Sequence, residues 1–241
     1  MEGASSGGRG GGRRTSLAPP PPARADRAHA VPFGGFRPAA DWPGRAPPGG
    51  PSEIVRGVAR VVVQTTGAQL ATGTGFAINP GGYFLTCNHV VEDAAAVGLI
   101  LDGYTEARPA EVVAGDVVSD VAVLRLLDGH GAESWLRLAG SGDEPRLGQA
   151  VGLLGYPLGE VGLEVTYSQG VVNSLRSTST HRLLQIDAGA APGSSGGPVF
   201  RREDGRVIGI LGGGLEGRSG MLANFAMDIR QLWALGWVRE G

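Results

Sequence analysis

Residues 193–198 read Gly193-Ser194-Ser195-Gly196-Gly197-Pro198, and the rest of the chain is interpreted outward from them. A serine hydroxyl is a weak nucleophile until a base takes its proton. It also needs backbone N–H groups aimed at the oxyanion that forms on attack. Glycines permit the tight turn that directs successive N–H groups to one side. The donors on offer are the backbone N–H groups of Gly193, Ser194 and Ser195, with Gly193 and Ser195 foremost. Gly196 and Gly197 leave room for close approach before a strand starts. A Gly-rich hairpin turn has the same composition, so this stretch alone leaves both readings open.

Two earlier segments supply the groups such a serine requires. Thr86-Cys87-Asn88-His89-Val90-Val91 places His89 just after an apolar strand and just before a short helical turn. The end of a strand holds a side chain at a fixed place, which a general base needs; a structural histidine is the other reading. His29, His130 and His181 sit in tail or loop contexts and are read as structural. Asp120 opens the apolar run Val121–Leu127. It is a turn residue in one reading. In the other it accepts the Nδ1–H of His89, fixes the tautomer and stabilises the imidazolium.

Around these segments the chain from Pro51 onward alternates short Val-, Ile-, Leu- and Thr-rich runs with Gly, Asn, Asp and Pro breakers. Strands are predicted at Ala59–Gln64, Gly73–Ile78, Tyr83–Thr86, Val97–Leu101, Ala110–Ala114 and Val121–Leu126. A second set is predicted at Gln149–Gly155, Leu163–Val172, Leu183–Asp187, Gly197–Phe200, Val207–Leu211 and Met221–Ala226. Short strands with turns between them point to an all-β sandwich or barrel. The turn-rich, charged stretch Ser141–Gly148 divides them into two six-stranded units. Helix is predicted at Val91–Ala95 and at Met227–Leu235, where Ile229, Leu232 and Trp233 share a face and Asp228 is placed to cap the first turn.

The first fifty residues differ in kind. They hold eleven Gly and nine Pro, and seven Arg against Glu2, Asp26 and Asp41. Such a segment cannot bury enough apolar surface to offset the entropy of ordering it. Residues 1–50 are therefore read as a disordered tail or as an organelle transit segment (chloroplast or mitochondrion), ahead of a domain at 51–241. Gly7–Arg14 looks like an RNA-binding Arg–Gly repeat but occurs once, so a flexible tail is the favoured reading. The net charge of −2 gives no reason to expect nucleic acid as a partner. Cys87 is the only cysteine, so no intrachain disulfide forms and the fold does not depend on an oxidising compartment. No apolar run reaches the length of a membrane span and no secretory leader is visible. A soluble, intracellular protein is expected.

Taken together, the three segments resemble the chymotrypsin-like serine proteases, and within them the HtrA (Deg) group. The order is His89, Asp120, Ser195, with separations of 31 and 75 residues. Gly73-Thr74-Gly75-Phe76 looks like that group's Gly-Ser-Gly-Phe strand. Gln185-Ile186-Asp187-Ala188 resembles its strand before the nucleophile loop, and Asn224-Phe225-Ala226-Met227 its penultimate strand. Two six-stranded Greek-key barrels are implied, at about 51–142 and 143–241, with a short C-terminal helix. The implied activity is peptide-bond hydrolysis through an acyl-enzyme, on unfolded or damaged proteins, with no metal or other cofactor. A catalytically silent binding module on the same fold, or an active fold held in an inactive loop arrangement, is the competing reading. An RNA-associated protein working through the tail is a third.

The resemblance implies further details. Gly189 and Ala190 fall at the floor of the primary substrate pocket, and Gly212 and Gly213 along its wall. With no acid there, cleavage after Arg or Lys is not expected, and small or medium apolar residues should fit. Ser194 stands where the group usually has Asn, and Ala190-Ala191-Pro192 is a plainer version of the loop before the nucleophile. The chain ends six residues after Leu235, so no PDZ domain is expected. Cys87 is read as structural or incidental. Phe33, Phe36 and Trp42 lie where many such proteases build a trimer, and are read either as that docking surface of a homotrimer or as scattered tail residues.

Overall fold

The computed structural model describes residues 51–157, 164–178, 181–216 and 222–238. The tail at 1–50 lies outside the described residues, and with it His29, the Arg–Gly stretch, the proposed transit segment and the aromatic trio Phe33, Phe36 and Trp42.

A single turn of helix, α1 (Pro51–Ile54), and a 3-10 turn at Val55–Gly57 lead into twelve strands. The first six are β1 (Val58–Thr65), β2 (Leu70–Ala77), β3 (Tyr83–Thr86), β4 (Ala94–Leu101), β5 (Arg108–Asp116) and β6 (Val121–Leu126). They close into a barrel in the order β1-β2-β3-β6-β5-β4. The second six are β7 (Ala150–Gly155), β8 (Thr166–Ser177), β9 (Arg182–Ile186), β10 (Pro198–Arg201), β11 (Val207–Glu216) and β12 (Leu222–Asp228). They close in the order β10-β11-β12-β9-β8-β7. Every pairing between these strands is antiparallel. Closure leaves no sheet edge to template association.

The barrels are filled by the apolar residues of these runs. Val58, Val61, Phe76, Phe84, Leu99, Val121 and Val123 are fully buried in the first, and Val151, Leu154, Val199, Phe200, Ile208 and Ile210 in the second. Burying a side chain of this size stabilises by about 1.5–3 kcal/mol. No helix among the described residues is long and apolar enough to cross a membrane.

Both predicted helices shift. The turn expected at Val91–Ala95 is α2 (Asn88–Val91). The alanines at 94–96 favour helix locally, but Thr65 and Gln64 of β1 pair with Ala94 and Ala96 and draw them into β4, a case of tertiary pairing overriding propensity. The helix expected from Met227 is α3 (Gln231–Ala234). Met227 and Asp228 are held in β12 opposite Ile210 and Gly209. Asp228 caps no helix; it accepts the Arg230 backbone N–H at 2.9 Å and its guanidinium at 2.7 Å. The predicted strand at Leu163 starts at Thr166 and runs on to Ser177.

Candidate active site

Register builds one half of the site. β3 and β6 pair with Thr86 opposite Ala122. The chain leaving β3 through Cys87 into α2 therefore emerges beside the chain entering β6 from Asp120. His89 Nδ1 lies 2.7 Å from Asp120 Oδ2. The His89 backbone N–H donates to Asp120 Oδ1 at 2.9 Å, so each carboxylate oxygen has its own partner. A carboxylate can only accept, so Nδ1 carries the proton and Nε2 is left as the acceptor. Asp120 has φ 50°, a conformation that aspartate tolerates better than most residues. The Asp116 carboxylate shapes that turn by accepting the Ser119 N–H at 2.6 Å. Hydrogen bonding to Asp120 raises the His89 pKa above its ordinary value, against an opposing effect of partial burial.

The other half comes from the second barrel. Ser195 lies in the loop that ends at β10. The Ser194 N–H donates to the Ala191 carbonyl at 2.9 Å, and the Gly197 N–H to the Ser194 carbonyl at 3.0 Å. Ser194 is therefore removed from the expected set of oxyanion donors: its N–H is spent closing the turn. The Gly193 and Ser195 N–H groups make no hydrogen bond among the described residues. Gly196 has φ 89°, and a Cβ there would lie 2.0 Å from the Thr74 carbonyl, so only glycine fits. Ser195 Oγ donates to the Gly212 carbonyl at 3.4 Å; among the described residues no hydrogen bond joins it to His89. The structure thus couples His89 with Asp120 and leaves the serine hydroxyl turned to a backbone acceptor.

The expected pocket residues lie beside this loop. Gly189 is exposed, with open space where a Cβ would project, and its carbonyl accepts the Ser168 hydroxyl at 2.6 Å. Ala190 packs partly buried against the core. Asn224, buried, donates to the Ala188 carbonyl at 2.7 Å from below. Gly212 and Gly213 lie at a bulge of β11 where the register against β12 shifts. A Cβ on Gly212 would stand 3.7 Å from Asp120 Oδ2, and one on Gly213 would meet nothing.

Three further residues shape the site in ways the sequence reading did not assign. Thr74, fully buried, ties the barrels together. Its hydroxyl donates to the Gly193 carbonyl at 2.8 Å and accepts the Tyr156 N–H at 3.0 Å. Its N–H donates to the Ser195 carbonyl at 2.8 Å. The Gly-Thr-Gly-Phe stretch marked the strand but not this role. His181, read as structural, reaches from the β8–β9 turn to the Val118 carbonyl, with Nε2 at 2.6 Å. It so fastens the second barrel to the loop that delivers Asp120, and nothing in its local sequence announces that. Cys87 is buried beneath His89, its thiol donating to the Leu211 carbonyl at 3.1 Å. Burial, with the Asp120 carboxylate adding to it, pushes the thiol pKa well up.

The arrangement has counterparts among known proteins. The family model for the trypsin-like peptidase domain matches residues 73–210, more than half of the chain. A probable periplasmic serine endoprotease, DegP-like, of Chlamydia pneumoniae is 34% identical over 156 residues, covering 62% of this chain and 30% of that protein. The serine protease Do-like HtrA of Bacillus subtilis (strain 168) is 35% identical over 143 residues, covering 55% of this chain and 30% of its own length. The chain thus spans under a third of the length of either relative. Among solved structures, the HtrA-type protease AlgW with a tripeptide superposes with a TM-score of 0.66 at 25% identity, over 77% of this chain and 60% of that one.

Proposed function

We propose that this chain, which belongs to the trypsin-like peptidase family and has HtrA-type proteases as its relatives, is a serine endopeptidase that uses Ser195, His89 and Asp120. The observation that carries the reading is the His89–Asp120 pair, closed at 2.7 Å, set beside a serine loop with two unspent backbone donors. His89 Nε2 accepts the Ser195 proton as Oγ attacks the scissile carbonyl carbon. Asp120 holds the ring and stabilises the imidazolium that results. The Gly193 and Ser195 N–H groups receive the charge that develops on the substrate oxygen. His89 then protonates the leaving amine, and water, activated by the same imidazole, releases the acyl group.

The serine hydroxyl must swing from Gly212 toward His89, a rearrangement common where catalytic hydrogen bonds tighten only with substrate bound. The Gly212 bond is also the one observation behind a second reading, a fold held in a resting loop arrangement. The substrate class we infer is unfolded or damaged polypeptide, with small or medium apolar residues in the primary pocket. The uncharged Gly189–Ala190 floor, with open space at Gly189, supports the pocket preference, since a buried basic side chain would need a paired acid; the substrate class follows from the resemblance to the HtrA group.

The experiment is digestion of a reduced, unfolded protein and of its native form, with the products sequenced. Cleavage of the unfolded form after Val, Ala or Leu is expected. Predominant cleavage after Arg or Lys would overturn the pocket assignment. No cleavage of either form, by protein whose barrels are folded by circular dichroism, would overturn the peptidase reading.

A further inference from the structure

At the proposed catalytic pair, with Cys87 buried below it, three different donor atoms converge. The Cys87 sulfur, a His89 nitrogen and an Asp120 carboxylate oxygen all lie within 4.8 Å of one another. From these positions we infer that the cluster is an inhibitory binding site for a thiophilic divalent cation, Zn²⁺ above all, which would lock the imidazole away from Ser195.

The donor set selects the metal. Thiolate, imidazole and carboxylate together suit Zn²⁺, which takes four ligands tetrahedrally with Zn–S about 2.3 Å and Zn–N and Zn–O about 2.0–2.2 Å. Such bond lengths put donor atoms about 3.2–3.8 Å apart. Nδ1 and Oδ2, now 2.7 Å apart, need to open by about half an ångström to meet that spacing. A fourth position faces outward, where His89 and Asp120 keep 44% and 36% of their side-chain surface exposed, so water completes the tetrahedron.

The supports of the ligands are already in place. Asp120 Oδ1 stays anchored by the His89 N–H at 2.9 Å, which orients Oδ2 toward the metal as a surrounding hydrogen bond commonly does for a ligating carboxylate. Cys87 leaves the end of β3 and His89 sits two residues on in α2, so both ligands come from one rigid strand-to-helix corner. Gly212 contributes by what it lacks: a Cβ there would stand 3.7 Å from Oδ2, and a larger side chain would crowd the ion.

Binding balances in protons. The Cys87 thiol gives its proton to solvent and binds as thiolate. His89 binds through Nδ1, so its one ring proton resides on Nε2. That tautomer cannot accept the Ser195 proton, and the same event occupies Asp120. Inhibition therefore follows from coordination without any block of the substrate cleft. The inhibition rests on the peptidase reading; the binding does not.

The test uses the full chain, with Co²⁺ as a spectroscopic stand-in for Zn²⁺. One Co²⁺ per chain with a thiolate-to-cobalt charge-transfer absorption is expected. His89→Ala and Asp120→Asn should each weaken its binding by at least about tenfold. No thiolate band, or a band unmoved by both substitutions, would overturn the site. In parallel, Zn²⁺ should abolish peptide hydrolysis reversibly with EDTA. Cys87→Ala, scored against its own EDTA-treated activity, should need at least about tenfold more Zn²⁺ for half-inhibition. Equal Zn²⁺ sensitivity of parent and Cys87→Ala would overturn the inhibition. Should Cys87→Ala fail to fold, the Co²⁺ titrations of the other two variants decide. A chain that binds Co²⁺ as described but hydrolyses nothing in EDTA would refute the peptidase reading and leave the metal site standing.

Discussion

The two halves of the candidate site are built differently. The His89–Asp120 half belongs to one barrel: adjacent strands β3 and β6 deliver both residues, and two hydrogen bonds under 3 Å join them. The Ser195 half belongs to the other barrel and meets the first through a few cross-barrel contacts, chiefly Thr74 and His181. Sheet register enforces the first half, so that half is complete in the structure. The second depends on how one barrel is seated on the other, and its hydroxyl is turned to Gly212. On the proposed reading, the base and its orienting acid are a property of a single barrel, and catalytic competence a property of the contact between barrels.

Substitutions in each half test that division. The largest effect is expected for Ser195→Ala, which should lower kcat/KM for a peptide by several orders of magnitude with the fold unchanged; activity within about threefold of the parent would remove Ser195 from the mechanism. Asp120→Asn should cost about four orders of magnitude in kcat through the wrong imidazole tautomer. The same variant carries a pH signature. Asp120 raises the His89 pKa above 6.5, so the acid limb of kcat/KM should lie above that value in the parent and fall toward it in the variant. Stability runs the opposite way, since a raised folded-state pKa means the pair's contribution is full below pH 6.5 and is lost as pH rises through the folded value. A limb at the same pH in both proteins would show that His89 is not the titrating base.

Thr74→Val probes the seam. It keeps the shape but deprives the Gly193 carbonyl and the Tyr156 N–H of their partner, which should cost about 1–3 kcal/mol in stability. Activity should fall by about ten- to a hundredfold, as expected when one oxyanion donor is misplaced. Loss of stability at full activity would make Thr74 a packing residue only. His181→Ala should act on the same seam more weakly. It releases one hydrogen bond to Val118, worth about 1 kcal/mol, and should lower kcat severalfold with KM nearly unchanged. The smallest effect is expected for Asp128→Asn. Arg108 holds the Asp128 carboxyl down to about 2, so its contribution is present above the ordinary carboxylate pKa and fades as pH falls through about 2. A surface pair of this kind stabilises by about 0–1 kcal/mol, and peptidase activity should not change.

The contrast between the halves also explains what the sequence revealed. Twelve strands in two sets of six were legible because each strand is a short apolar run between breakers. His89, Asp120 and Ser195 stood out as candidates because each lies next to the start or end of such a run. Helix limits were not, because Ala94 and Met227 were drawn into strands by partners distant in sequence. The seam was invisible for the same reason. Thr74 meets Gly193 across 119 residues and His181 meets Val118 across 63, and a hydroxyl or imidazole in a strand or turn gives no local sign of such a partner. Ser194 illustrates the limit within a motif: its place among glycines suggested an oxyanion donor, while its N–H closes the turn on Ala191.

The central claim is that Ser195 is a nucleophile activated by His89. Labelling with a fluorophosphonate probe tests it most directly, because covalent capture requires the activated hydroxyl and no knowledge of the natural substrate. The account predicts one adduct per chain, mapped to Ser195 by peptide mass spectrometry, absent in Ser195→Ala and strongly reduced in His89→Ala. Folded protein that takes up no probe, or that labels equally in Ser195→Ala, would contradict it.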